Sequence, residues 1–144
     1  MLKPISVVGY VVMVGGFLAL LAQRAVFSAS PFVMAVQAIA LLLLAWARWT
    51  FGRRSFHFAA NPTQGGLITN GPYRYIRHPI YAAVSLFTWA GIAGHWSWAA
   101  FSCGLVVLVG ALARIFSEEI LVAARYPEYA DYARHTWRMV PYIF

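Results

Sequence analysis

Acidic side chains are nearly missing from this chain of 144 residues, which has four of them against eleven lysines and arginines. Charge of both signs makes up only 10% of it, where about 25% is usual for a soluble domain. Hydrophobic residues make up 62%. A water-soluble domain of this length has too little interior to hide that much apolar surface, so lipid must serve as part of the solvent. The single cysteine, Cys103, lies in an apolar run. That excludes an intrachain disulfide and argues against thiol redox chemistry, which needs cysteine pairs. No Gly-x-Gly-x-x-Gly opens a helix and no phosphate loop is present, so a soluble-type nucleotide fold is excluded. His57, His78, His95 and His135 show no metal-ligand spacing, and none sits centrally in an apolar run, so neither a metal nor a bridging haem is expected. The net charge of +7 is scattered. Without a basic stripe interleaved with aromatics, nucleic acid is not an expected partner, whereas a positive membrane-surface face is.

What the chain does have is long apolar runs. Crossing the hydrocarbon core takes about 20 apolar residues at about 1.5 Å each. Four segments are expected to span: about 5–22, 31–51, 80–93 and 96–116. Pro31 suits a first helical turn. The third segment is short unless its helix begins earlier. Lys3 before an apolar run imitates a signal peptide, but the run is long and its cleavage pattern poor, so it reads as a mature first span. Trp46 and Trp49, like Trp96 and Trp98, fit interfacial aromatic belts. Gly15-Gly16, Gly104 and Gly110 are expected at close helix contacts, and Cys103 in packing. The expected fold is therefore all-α, a polytopic membrane protein of one domain over 1–144, with four transmembrane helices and further helices at the C-terminus.

Orientation follows from the cations. Lys3 precedes the first span, Arg53, Arg54, Arg74 and Arg77 lie in the 52–78 connection, and Arg114, Arg125, Arg134 and Arg138 cluster at or after the end of the fourth. Arg24 stands alone in the first loop. The positive-inside rule then puts both termini and the 52–78 connection in the cytoplasm. The connection carries the turn signals Asn61-Pro62, Gly65-Gly66 and Asn70-Gly71-Pro72. Long loops that also carry packing aromatics are often functional.

Polar chemistry gathers in two places. One is Gly71-Pro72-Tyr73-Arg74-Tyr75-Ile76-Arg77-His78-Pro79-Ile80-Tyr81. The other holds every acid of the chain: Glu118, Glu119, Glu128 and Asp131. With both on one side of the membrane, they are expected to form two walls of a single site. Spans one to three carry no acid, which weakens a proton-coupled carrier. After the fourth span the helix should continue outward, break or restart at Pro127, and present Tyr126, Tyr129 and Tyr132 on a half-polar stripe. The segment ending at Pro141 should be extended.

Carboxylates, arginines, a histidine and tyrosines at an interface could hold a zwitterionic cationic cofactor. S-adenosylmethionine fits: Glu118 or Glu119 could pair its ammonium, aromatic faces its sulfonium, and an arginine its carboxylate. The residues alone do not choose it over another polar cofactor.

The stretch from Gln64 to Tyr81, with Gly-Pro-Tyr-Arg-Tyr-Ile-Arg-His-Pro-Ile-Tyr, resembles the signature of the isoprenylcysteine carboxyl methyltransferases, a group that includes phospholipid methyltransferases. Glu118 to Pro141 resembles their second signature: acids, Leu121, the pair Tyr129 and Tyr132, then an arginine near a proline. The likeness covers roughly 64–144. It implies an integral membrane enzyme using S-adenosylmethionine, with S-adenosylhomocysteine as product. The cofactor would lie in a cytoplasmic-side pocket built from 64–81 and 114–141, and a lipophilic small molecule or lipid would enter through the bilayer, a carboxylate being the sharper acceptor. The chain departs from the pattern at Ser117, where a first acid is usual, at Arg125-Tyr126, where Phe-Gly is common, and at Ala82-Ala83, where a glycine is usual.

Each candidate has a plainer reading beside it. Tyr73, Arg77, His78 and Tyr81 are cofactor-contact candidates that otherwise pack, order the loop or reach lipid phosphate. Glu118 is the strongest candidate, since a carboxylate just below a span needs a partner, although Arg114 one turn earlier could be that partner. Glu119 is a second acid expected to face elsewhere on the helix. Tyr129 and Tyr132 close over the cofactor or pack between helices. Arg138 is the expected catalytic arginine by resemblance, with Arg134 as competitor. Glu128 and Asp131 form a solvated face, and His57 and His95 receive no role. The expected activity is methyl transfer to a lipophilic acceptor in a multi-pass bacterial or archaeal inner-membrane protein. The competing readings are an NADPH-dependent membrane sterol-type reductase and a four-span carrier or scaffold without chemistry.

Overall fold

The computed structural model describes residues 2–52 and 66–144. Arg53, Arg54, His57, Asn61-Pro62 and the Gln64-Gly65 start of the motif region lie outside the described residues. Five α-helices follow in order: α1 (Leu2–Ala22), α2 (Pro31–Phe51), α3 (Pro79–Gly94), α4 (Trp98–Arg125) and α5 (Tyr129–Arg134), with a 3₁₀ turn at Gly71–Arg74 before α3. The described residues contain no strand, only an isolated parallel bridge between Ile76 and Trp137.

The sequence patterns account for the helix ends. α2 starts at Pro31, where a missing N–H costs nothing, and ends at Phe51 ahead of Gly52. α3 does not begin earlier than Pro79, because a proline disfavours helical geometry in the residue before it, and His78 has φ −125° and ψ 59°. At 16 residues α3 rises only about 24 Å, short of the roughly 30 Å hydrocarbon core. Three helices are long and apolar enough to cross a membrane, Pro4–Ala22, Pro31–Phe51 and Trp98–Arg125, and α3 is a shorter apolar one. The fourth helix starts two residues later than expected and, as expected, continues past the apolar run. Ser97 caps α4 by accepting from the Ala100 N–H at 3.0 Å, so the helix begins at Trp98. Nothing between Phe116 and Arg125 interrupts it, and one rigid rod carries the acids down from the bundle. Pro127 follows the break, and α5 restarts at Tyr129.

α1 lies antiparallel along α4. A Cβ on Gly110 would come within 2.6 Å of the Gly9 carbonyl and the Met13 nitrogen, so only glycine lets the backbones approach this closely. Gly16 and Gly104 also sit at tight contacts. Gly15 does not: the space a Cβ would take is open, which corrects the expectation for that residue. α2 packs along α3, and the buried Gln37 side chain donates to the carbonyls of Val26 at 2.6 Å and Phe87 at 3.3 Å, tying the α1–α2 connection to α3. Leu20, Val26, Ile92, Ala100 and Val107 fill one end of the bundle. Tyr81, Ala111, Ile115 and Met139 fill the other. Val8, Val11, Leu42 and Val109 face outward, as apolar residues do when lipid is the solvent. The up-and-down connectivity brings the start of α1, the end of α2, the start of α3 and the end of α4 to one end of the bundle.

Candidate active site

At that end the two polar segments meet. Pro79 starts α3 and fixes Tyr81 in its first turn, facing α4. The Tyr81 hydroxyl donates to Glu118 Oε1 at 2.5 Å and accepts from Arg114 Nε at 2.6 Å. Arg114 also donates to Glu118 Oε1 at 3.1 Å and to the Ser6 carbonyl at 3.4 Å, and its guanidinium lies 5.2 Å from the Tyr10 ring centre. α1, α3 and α4 are thus joined around one buried arginine, the partner expected for Glu118 by helical spacing.

Glu119 does not face elsewhere. Its Oε1 accepts from Arg77 Nε at 3.0 Å and stands 3.3 Å from His78 Nε2, and its Oε2 accepts from Arg138 Nε at 3.0 Å. Neighbouring helix positions point about 100° apart. The motif segment and the C-terminal tail wrap that side of α4 as well, so both acids find cations. His78 lies between the acids, with Nδ1 3.8 Å from Glu118 Oε2. Glu118 is the more open of the two, at 24% side-chain exposure against 12%.

The tail is stitched to the motif through backbone. The Arg77 N–H donates to the Trp137 carbonyl at 2.7 Å, the His78 N–H to the Arg138 carbonyl at 2.9 Å, and the Trp137 N–H to the Tyr75 carbonyl at 3.1 Å. Arg77 Nη1 donates to the carbonyls of Ala133, at 2.9 Å, and Thr136, closing the C-terminal end of α5 with a cation. The segment before Pro141 is extended only at this bridge and then turns back, with the Met139 N–H bonded to the Phe144 carbonyl at 2.8 Å.

These contacts enclose a cavity of about 350 Å³, within the usual range of roughly 300–1,000 Å³ for small-molecule sites. Of the eight tyrosines in the chain, six line it: Tyr10, Tyr73, Tyr81, Tyr126, Tyr129 and Tyr132. Arg48, Arg77, His78, Arg114, Glu118 and Glu119 supply its polar wall, and Met13, Leu44 and Val84 its apolar one. Burial pushes the Tyr73 and Tyr129 hydroxyls well above the ordinary tyrosine value. It pushes Tyr132 up to about 12 against the opposing pull of Arg77. All three are neutral donors near neutral pH. The Tyr132 hydroxyl donates to the Tyr73 carbonyl at 2.6 Å, holding α5 over the cavity.

Among the expected site residues, Tyr73, Arg77, His78, Tyr81, Glu118, Glu119, Tyr129 and Tyr132 line this one cavity. Arg138 does not. It sits behind Glu119 and lines an adjacent cleft together with Arg134. Glu128 and Asp131 are solvent-exposed, Asp131 in a surface pair with Arg134 at 2.9 Å. Tyr10, Arg48 and Phe51 were missed. Their only signal is a polar aromatic inside the first span and a cation in the last turn of the second.

The apolar helices thus carry a polar, tyrosine-lined cavity at one common end of the bundle. The sequence pattern of the phospholipid methyltransferase family matches residues 29–129, well over half of the chain, from the residue before Ser30 through all of α4 to Tyr129. The chain belongs to that family and is a membrane methyltransferase. No curated protein and no solved structure matches it.

Proposed function

We propose that the protein transfers a methyl group from S-adenosylmethionine to a lipophilic small molecule or lipid. The observation that carries this reading is the meeting of the 71–81 motif and the α4 acids around one tyrosine-lined cavity. Its residues fit the cofactor. Glu118 is the more open carboxylate and suits an ammonium. Tyrosine faces suit a sulfonium, worth about 0.5–2 kcal/mol by cation–π attraction. When bound there, S-adenosylmethionine supplies an electrophilic methyl group. The chain's own residues hold and orient, because an in-line displacement gains most from positioning. Tyr81 and Arg114 fix the Glu118 carboxylate in one rotamer. Tyr129 and Tyr132 cover the cavity and exclude water. Met13, Leu44 and Val84 offer an apolar wall to the acceptor's hydrocarbon part. Arg138 acts through Glu119, as a positioning residue.

The fuller topology belongs to the same reading. α3 crosses as a fourth, short span by thinning the bilayer around it. Both termini and the cavity then face the cytoplasm, a placement that the distribution of arginines supports. Single cysteines introduced near residue 3 and near residue 96 should label from opposite sides of sealed vesicles, and same-side labelling refutes the topology.

S-adenosylhomocysteine should raise the melting temperature of the purified protein, since a ligand that prefers the folded state stabilises it. Stabilisation by NADPH instead overturns methyl transfer in favour of a sterol-type reductase. Incubation of radiolabelled S-adenosylmethionine with membrane extract should place the label on a lipid-soluble product.

A further inference from the structure

Beyond the Glu119 contacts a second cleft of about 370 Å³ opens between α5 and the tail. Arg77, Arg134 and Arg138, with His135, supply its polar wall, and Trp137, Ile143 and Phe144 its apolar one. No carboxylate side chain lines it. Arg138 uses Nε on Glu119, but its two terminal nitrogens make no hydrogen bond among the described residues. Arg134 uses one nitrogen on Asp131, in a pair that is 74% and 69% exposed. So exposed a pair holds its arginine weakly. His135 also faces Asp131, at 4.0 Å.

The cleft sits at the end of a lipid-facing stripe. Leu105, Val109, Phe116 and Ile120 are all exposed on α4, and at about 100° per residue they fall within about 60° of one another. The Arg138 guanidinium lies 5.4 Å from the Phe116 ring centre. From Trp98 to Phe116 the helix rises roughly 27 Å, close to the roughly 30 Å hydrocarbon thickness. With Trp98 at one interface, Arg138 therefore stands at the other. Beside it Trp137, Val140, Tyr142 and Ile143 are exposed, with the Trp137 and Tyr142 rings 5.6 Å apart. Amphipathic aromatics of this kind settle at headgroup depth.

We propose that this cleft binds the phosphodiester of a membrane phospholipid whose acyl chains lie along the Leu105–Phe116 part of the stripe, fastening the C-terminal tail to the leaflet. The free guanidinium edges of Arg134 and Arg138 meet the phosphate oxygens, and the aromatic rim enters the interface. A lipid source is favoured over free phosphate because the apolar stripe and the cationic cleft are continuous. Arg77 lines both this cleft and the tyrosine-lined cavity, but the inference does not depend on methyl transfer.

Native mass spectrometry of the full chain in uncharged detergent tests it, with phosphatidylglycerol, diacylglycerol of the same chains, and inorganic phosphate as probes. Phosphatidylglycerol should be retained far better than diacylglycerol. Arg134→Gln, a surface change, should weaken retention about fivefold, since a basic residue near a lipid surface is worth about 1 kcal/mol. Arg134→Gln with Arg138→Gln should weaken it more. Equal retention of diacylglycerol, or unchanged retention by Arg134→Gln, overturns the site. Competition by millimolar inorganic phosphate as strong as that by lipid overturns the lipid as occupant.

Discussion

Arg77 Nε and Glu119 Oε1 stand 3.0 Å apart although 42 positions separate them in the chain. The same carboxylate group takes Arg138 and faces His78. One acid therefore binds the motif, the end of α4 and the tail together. That makes the cavity one object instead of three neighbouring surfaces, and it makes Glu119 and Glu118 different in kind, the first a clasp and the second an open carboxylate.

Glu119→Ala should leave Arg77, His78 and Arg138 without their shared anion. Removing one partner of a largely buried ionic cluster costs about 3–5 kcal/mol. Thermal unfolding of the purified variant should show a fall of several degrees, and loss of cofactor binding should follow from it. An unchanged melting temperature would falsify the clasp.

Glu118→Gln should separate two effects. It keeps the shape and an acceptor for Tyr81 but leaves the buried Arg114 without its anion, so some stability should be lost, and in protein that remains folded the affinity for S-adenosylhomocysteine should fall. A hydrogen bond to a charged group is worth about 1.5–3 kcal/mol, equivalent to roughly 10- to 150-fold in the dissociation constant. Calorimetric titration measures it, and unaltered affinity removes Glu118 from the site.

Gly110→Val and Gly15→Val form a matched pair. At Gly110 a Cβ meets backbone at 2.6 Å, so α1 and α4 must separate and folded yield should collapse. At Gly15 a Cβ meets nothing within 4 Å, and the variant should fold as the parent does. Size-exclusion profiles in detergent distinguish the two, and equal behaviour of both variants contradicts the packing described.

Tyr132→Phe removes the 2.6 Å bond to the Tyr73 carbonyl. The loss should be about 1 kcal/mol of stability, with faster exchange of the α5 amides by hydrogen–deuterium exchange. With burial pushing Tyr132 up to about 12 from its ordinary 10, its contribution is complete below pH 10 and is lost as pH rises through about 12. Stability between pH 7 and pH 9 should therefore show no step attributable to this hydroxyl. A tyrosine-dependent transition in that window, absent from Tyr132→Phe, contradicts its burial.

The helices were legible because apolar run length, proline and glycine act locally. Pro31 and Pro127 marked element boundaries without help from the rest of the fold, whereas the starts set by Pro79 and Ser97 went unread. The match of residues 71–81 with the α4 acids was legible as well, since both fall on one side once the spans are counted. The facing of Glu119 was not. Helical spacing separates it from Glu118, and only the motif segment and the tail, both packed against α4, provide it with partners. Nor was the place of Arg138, bonded to Glu119 and lining the adjacent cleft, because proximity to a proline in sequence says nothing about which side of an acid it occupies. Tyr10, Arg48 and Phe51 come from helices whose sequences read as plain spans.

The amino-acid sequence by itself determined an all-helical membrane protein with its polar chemistry gathered at one interface, because hydropathy and chain-breaking residues act over a few turns at most. Only the tertiary structure decided which cations hold each acid, which acid is the more open, and which arginines line the cavity. Those outcomes depend on the tail pairing through Trp137 and Arg138 with the backbone of Arg77 and His78, a contact that forms only after the helices have brought the segments together.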